Sequence, residues 1–228
     1  MKIQKKFAYT LAEVLITLAI AGVVTAMILP SLINKYKKIV VQDKLLKFYT
    51  TMTQAIKMEE IEQGDLENWL PACSGSGCLE AWFIQHISPH IITIEEMRNN
   101  SATQYFEVAF NDGSGFWGYN LNFMYCIEFK YCGIETYDGN TSFLFSISKN
   151  PNHNNKYEFI TSNRTIQEFD RETLLSSCSK GNWDYTHGSG TKDTYYSKRR
   201  HACARLIEYD GWKIKDDYPW KAETQPKS

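Results

Sequence analysis

The sequence predicts an α+β protein: a long amino-terminal helix, membrane-spanning in its first half, packed on an antiparallel β-sheet domain with short extra helices and disulfides. Three observations predict it. Between Lys6 and Lys35 the only charged residue is Glu13, an apolar run long enough to cross a bilayer as a helix of about 20 residues. From Tyr36 to about Gln63 the apolar residues Tyr36, Val41, Leu45, Phe48, Met52 and Ile56 recur mostly every four positions, with Lys37, Lys38, Lys44, Lys47 and Lys57 between them, which is the stripe of a helix lying on a domain. Beyond residue 100, aromatic-rich segments alternate with turn tracts, the pattern of paired strands.

Taken in order, residues 1–8 are a short basic leader carrying Lys2, Lys5 and Lys6, residues 9–63 form one helix whose transmembrane half is 9–33, and residues 64–228 form a globular domain. The helix has about 55 residues and a length near 80 Å. Pro30 lacks an N–H and crowds the preceding turn, so a kink or locally melted turn is expected there. Glu13 needs a reason, because a carboxylate in such a run costs roughly 2.5 to 3.5 kcal/mol on insertion scales. A cleaved secretory signal is too short and uninterrupted to match this run, and a plain signal anchor leaves Glu13 without a role.

Residues 64–78 read as a connecting loop, and Leu79–Ile87 as a short amphipathic helix ended by Pro89. Gln104–Phe110, Asn122–Tyr131, Thr141–Ser148 and Tyr157–Thr161 read as strands, separated by Asn111-Asp112-Gly113, Asp138-Gly139-Asn140 and Asn150-Pro151-Asn152, so an antiparallel meander is expected. Thr165-Ile166-Gln167-Glu168 has capping-box spacing and opens a helix through about Ser177. Residues 178–203 are a polar surface loop, Ala202 to about Tyr209 is a last short helix, and the tail with Trp212 and Trp220 packs back on the domain.

Composition narrows the function. Hydrophobic residues at 43% and aromatics at 14% support a packed core rather than disorder. The formal charge of −1 becomes −4 once the three leader lysines are removed, so no nucleic-acid partner is expected. Six cysteines, Cys73, Cys78, Cys126, Cys132, Cys178 and Cys203, all follow the apolar run. The basic leader keeps the amino end cytoplasmic and sends them into an oxidising compartment. Of the 15 possible pairings, short loops favour Cys73 with Cys78 and Cys126 with Cys132, leaving Cys178 with Cys203. Zinc is the competing reading at Cys73 and Cys78, but no second close pair completes a site. His86 and His90 are four apart, yet Pro89 between them spoils a shared helical face, and they are read as surface or capping histidines. Asp112 and Asp138 are turn residues, with calcium ligation as the alternative; otherwise no cofactor or metal is expected. No Gly-x-Ser-x-Gly, His-Glu-x-x-His or phosphate loop is present, and Gly113-Ser114-Gly115 does not open a helix, so no catalytic residues are assigned and no enzyme is expected. The aromatics of 105–145 are read as core rather than as a sugar-binding surface.

One motif reaches further. Tyr9-Thr10-Leu11-Ala12-Glu13, with Gly22 and Pro30 downstream, resembles the cleavage and methylation segment of type IV pilins and type II secretion pseudopilins. In that family a basic leader ending in a small residue, usually Gly, is cut before a residue that is usually Phe, and the mature chain carries Glu at its fifth position. The resemblance implies processing between Ala8 and Tyr9, departures from Gly and Phe that bear on cleavage efficiency, and Glu13, Gly22 and Pro30 as assembly positions. It further implies a prepilin peptidase that cuts and methylates Tyr9, other pilin or pseudopilin subunits and an inner-membrane assembly platform as partners, and membrane lipid before assembly. The chain would sit once in a bacterial inner membrane, its domain periplasmic or extracellular, and then in a filament. A signal-anchored extracytoplasmic enzyme or ligand-binding protein and a DNA-uptake pseudopilin are the alternatives.

Overall fold

A computed structural model describes residues 10–72, 75–100, 105–132, 138–180 and 200–220. Two compact units divide at residue 39. The first consists of the amino-terminal part of α1 (Leu11–Gln63), which runs without interruption through Pro30. The melted turn expected at Pro30 is therefore not found. Every residue from 11 to 33 is exposed.

The second unit begins with the rest of α1 and is built around a six-stranded antiparallel meander in the order β1-β2-β3-β4-β5-β6. The strands are β1 (Ile94–Asn100), β2 (Tyr105–Phe110), β3 (Gly115–Tyr119), β4 (Asn122–Cys126), β5 (Ser142–Asn150) and β6 (Lys156–Thr161). Alternation sends Phe106, Val108, Phe116, Phe123, Tyr125, Phe143, Phe145 and Phe159 into the main core. There they meet Val41, Leu45, Phe48, Met52 and Ile56 of α1, spaced three or four apart. Tyr36, which the sequence pattern places at the head of that stripe, is 66% exposed, and the stripe starts at Val41. Phe48 is the central contact: its ring stacks on Tyr125 at 4.3 Å and meets Phe145 and Phe159 edge-on at 5.1 and 5.6 Å, arrangements that add to simple area burial. On the opposite face the cross-strand neighbours Trp117, Met124 and Leu144 form a smaller buried cluster with Cys126, packed by Tyr105, Tyr131 and Cys132.

Two strands were not expected. β1 offers only Ile94 and Met97 as apolar residues in Ile-Glu-Glu-Met-Arg-Asn-Asn, and β3 carries Gly115 and Gly118. Those glycines answer to close approach: a Cβ at Gly115 would collide with the Val108 carbonyl and the Phe129 ring, and one at Gly118 with Leu79. The strand expected over Asn122–Tyr131 ends at Cys126, because the chain turns through a 3₁₀ segment, Phe129–Tyr131, and the Cys126–Cys132 disulfide closes the bend.

The helix expected at Leu79–Ile87 starts earlier, as α2 (Ser76–Trp82), and continues as a π turn over Phe83–Ile87 and a 3₁₀ turn over Ser88–His90 that contains Pro89. The helix expected from Thr165 is also shifted. Thr165–Glu168 is a 3₁₀ turn, and α3 (Arg171–Lys180) starts after Asp170, whose Oδ1 accepts the Thr173 N–H at 2.8 Å. Asp170 is thus the cap. The Cys178–Cys203 disulfide ties α3 to α4 (Cys203–Tyr209). Arg171 adds a second tie, its guanidinium meeting Asp210 at 2.7 Å and Asp217 at 2.8 Å. The tail packs back as expected: Trp212 lies 5.0 Å from Tyr49, and the buried Tyr218 hydroxyl donates to the Gly139 carbonyl at 2.5 Å.

Candidate functional site

The residues singled out by the sequence for function lie on the first unit. Ala8 and Tyr9, the processing positions, fall outside the described residues. Glu13, Gly22 and Pro30 all lie on α1. The most apolar stretch of this helix has a mean hydropathy of 2.3, and none of it is buried. It is the one helix among the described residues long and apolar enough to cross a membrane. Leu15, Ile16, Leu18, Ile20, Val23 and Met27 are each more than half exposed, so the whole circumference is apolar and suits lipid or other helices.

Polar groups inside this run are satisfied locally, as a medium without water requires. Thr17 Oγ1 donates to the Val14 carbonyl at 2.9 Å and Thr25 Oγ1 to the Ala21 carbonyl at 2.7 Å. Glu13 has the arrangement that sequence reasoning missed. Its Oε2 accepts the Thr10 N–H at 2.8 Å and the Thr10 hydroxyl at 2.9 Å, while Thr10 Oγ1 accepts the Glu13 N–H at 3.3 Å. This is a capping box with Thr10 as N-cap and Glu13 at the third helical position. The signal was present in the Thr-x-x-Glu spacing before an apolar run. Gly22 has nothing within 4 Å of where a Cβ would sit, so no contact inside the described chain demands glycine there. Pro30 removes the donor that would otherwise serve the Ala26 carbonyl.

The cysteines that follow are oxidised where they are described. Cys126 pairs with Cys132 and Cys178 with Cys203, with Cα separations of 5.5 and 4.8 Å, as the spacing predicts. Cys78 is disulfide-bonded, and Cys73 lies outside the described residues, as does the expected Cys73–Cys78 pairing. Most of the loop expected over 178–203 also lies outside them.

The two aspartates with a calcium alternative are engaged otherwise. Asp112 Oδ2 meets Lys47 Nζ at 2.7 Å, and its Oδ1 accepts the Ser114 N–H at 3.0 Å. Burial pushes its carboxyl up, but Lys47 and Ser114 outweigh burial and hold it down at about 2. Asp138 Oδ1 accepts the N–H groups of Asn140, Thr141 and Ser142 at 2.8, 2.7 and 3.1 Å, and its Oδ2 accepts the Thr141 hydroxyl at 2.9 Å. Asp138 shows the local bonding of a turn aspartate, and Asp112 adds to its own turn bonds the ion pair that Lys47 brings from α1.

His86 and His90 are not surface or capping residues. They converge on the buried Glu59 of α1, His86 Nδ1 2.6 Å from Oε1 and His90 Nε2 2.9 Å from Oε2. Pro89 does not separate them, because the π and 3₁₀ turns re-aim both rings. Among the described residues no group of three His, Cys, Asp or Glu has metal-holding geometry.

Residues 31–222 match the model of a protein family described as "Family of unknown function (DUF6613)". The chain belongs to this family. The match begins one residue after Pro30 and thus covers the later part of α1 and the sheet, and leaves out the apolar run. No curated protein and no solved structure matches the chain.

Proposed function

We propose that this DUF6613-family chain is a structural subunit of a type IV pilus-like or type II secretion pseudopilus filament, matured by a prepilin peptidase and assembled through α1. The observation that carries the reading is the register of Glu13, Gly22 and Pro30 on a helix whose apolar side chains are all exposed from residue 11 to 33. The peptidase cuts between Ala8 and Tyr9 and methylates the new Tyr9 amine. Glu13 of one subunit then meets that amine on a neighbour. Unit charges about 4 Å apart attract by about 4 kcal/mol at an effective dielectric of 20, which offsets much of the insertion cost of Glu13 and fixes subunit register. Gly22, with open space around it, admits the close approach of a neighbouring helix. Before assembly α1 spans the inner membrane, with the oxidised cysteines on the far side from the cytoplasm.

The capping box favours a second reading, in which the helix is only a tether for an extracytoplasmic domain and Glu13 serves the helix end alone. The two differ in what Thr10 does. In a filament, Glu13→Ala is processed normally but is lost from sheared filaments by a factor of about ten or more, whereas Thr10→Ala, which spoils the cap and spares the carboxylate, is retained. Equal loss in both variants, or normal incorporation of Glu13→Ala, would overturn the charge-pairing assembly. Mass spectrometry of the mature protein should find Tyr9 at the amino end; an intact Met1 would sink the processing step.

A further inference from the structure

We propose that Glu59, His86 and His90 form an acid-released latch that fastens the helical segment Ser76–His90 to α1. Glu59 occupies the next position of the buried stripe after Ile56, where an apolar residue would ordinarily sit, and it is 5% exposed. The two imidazoles are 13% and 11% exposed, and each gives one ring nitrogen to one carboxylate oxygen. An ionised carboxylate only accepts, so neutral His86 carries its proton on Nδ1 and neutral His90 on Nε2. The carboxylate is then satisfied whether or not the rings are charged.

The surroundings leave this carboxylate to the two histidines. On α1, Glu60 is taken by Lys57 at 2.6 Å and by the Leu66 N–H at 3.3 Å. In the 3₁₀ turn Leu66–Trp69, Glu67 pairs with Lys149 at 3.5 Å. On α2, Glu80 accepts from Asn99 at 2.8 Å. The His86 ring is flanked by aromatic side chains: Trp69 stacks on Trp82 with centroids 5.8 Å apart, and His86 lies 5.1 Å from Trp69 and 6.4 Å from Trp82. The Trp82 indole N–H donates to the Trp69 carbonyl at 2.9 Å.

Burial raises the Glu59 carboxyl, and the bonds from His86 and His90 outweigh burial and bring it below its ordinary 4.5. A depressed folded value means that the stabilisation is complete above about pH 4.5 and is lost as pH falls through the lower folded value. At that point Glu59 is neutral, and the charge to which both imidazoles were bonded is gone. An uncharged imidazole still offers one N–H donor to the ionised carboxylate, so the release runs toward acid. Release uncovers Leu79, Trp82, Phe83 and Ile87, which are buried against the core while the segment is held.

The test uses the full-length protein in detergent between pH 8 and pH 3. Hydrogen exchange of the Phe83–His90 amides, corrected for intrinsic rates, should accelerate by up to about tenfold per pH unit as pH falls below about 4.5 and level off once Glu59 is protonated in the folded protein, while β4 and β5 stay protected. Tryptophan emission and the His86 and His90 ring resonances should change in the same step. Glu59→Gln keeps the side-chain shape without its charge and should abolish the step. An identical acid step in Glu59→Gln, or protection of Phe83–His90 lost only together with the sheet, would overturn the latch. If the variant fails to fold, the wild-type exchange profile alone decides between these outcomes. Uptake of one zinc ion per chain at neutral pH, lost in Glu59→Gln, would make the trio a metal site and also overturn it.

Discussion

Asp112 shows how one side chain can be claimed by two chemistries in sequence and by one in space. An Asp-Gly turn next to aromatic strands reads as turn formation, with calcium as the lesser alternative, and neither reading contains the ion pair that Lys47 brings from α1. Because that pairing joins residues 65 apart in the chain, no local pattern could have contained it. The carboxyl is held at about 2 against an ordinary 3.8, so its contribution is complete above about pH 4 and is lost as pH falls toward 2. Lys47 is half exposed, and solvent screening reduces the full shift to about 1 kcal/mol of stability. Asp112→Asn should therefore lower urea stability by about that amount at pH 7 and by almost nothing near pH 2; a gap that persists at pH 2 would mean that the ion pair is not its source. Glu59 teaches the reverse lesson. The apolar stripe read from the sequence stops at Ile56, so neither the burial of Glu59 three residues on nor its histidine partners, which depend on the π and 3₁₀ turns, was legible.

Among the elements, those with a clear period were legible and those shaped by neighbours were not. The buried half of α1, the meander, and strands β2, β5 and β6 follow from spacing alone. β3 was hidden because Gly115 and Gly118 lower strand propensity, and the reason for them is the approach of Phe129 and Leu79 from other elements. β1 was hidden because an edge strand needs few apolar residues, and its Glu and Arg side chains blunt the open edge. The capping pattern at Thr165 was read as the start of the helix, but Thr165–Glu168 is a separate 3₁₀ turn and α3 starts only at Arg171. The correction is measurable: Asp170→Ala should cost about 1 kcal/mol in thermal or urea unfolding, while Thr165→Ala should cost less than half of that. Equal costs would return the cap to Thr165.

For the molecule as a whole, the family match and the apolar run divide the chain at Pro30. The domain is defined by the family, the buried stripe and the disulfides; the run is defined by its exposure and by the Glu13, Gly22 and Pro30 register. The Cys178–Cys203 bond closes a loop of about 25 residues, worth roughly 3 kcal/mol in the chain-entropy model. It binds together two helices that the polar sequence between them does little to recommend as neighbours. Fold class and the Cys126–Cys132 and Cys178–Cys203 pairings were legible here because strand spacing and the separations between cysteines show in the sequence as a whole. The proposed function rests on a motif that, among the described residues, is exposed from residue 11 to 33, as befits a surface whose proposed partners are lipid and other subunits.

Lys44 offers a chemical handle on this arrangement. Its ammonium reaches from α1 to the Asp112 carbonyl at 3.2 Å and the Ile127 carbonyl at 2.8 Å, partly buried, whereas the Lys57 side chain on the same helix is 64% exposed. An amine that must leave two acceptors before it can react is a clock for helix undocking. Pulse acylation read by mass spectrometry should modify Lys57 at once and Lys44 only as fast as α1 lifts from the sheet, so the ratio of the two reports docking in detergent, bilayer or filament. Equal labelling rates in the folded protein would show that Lys44 is not held.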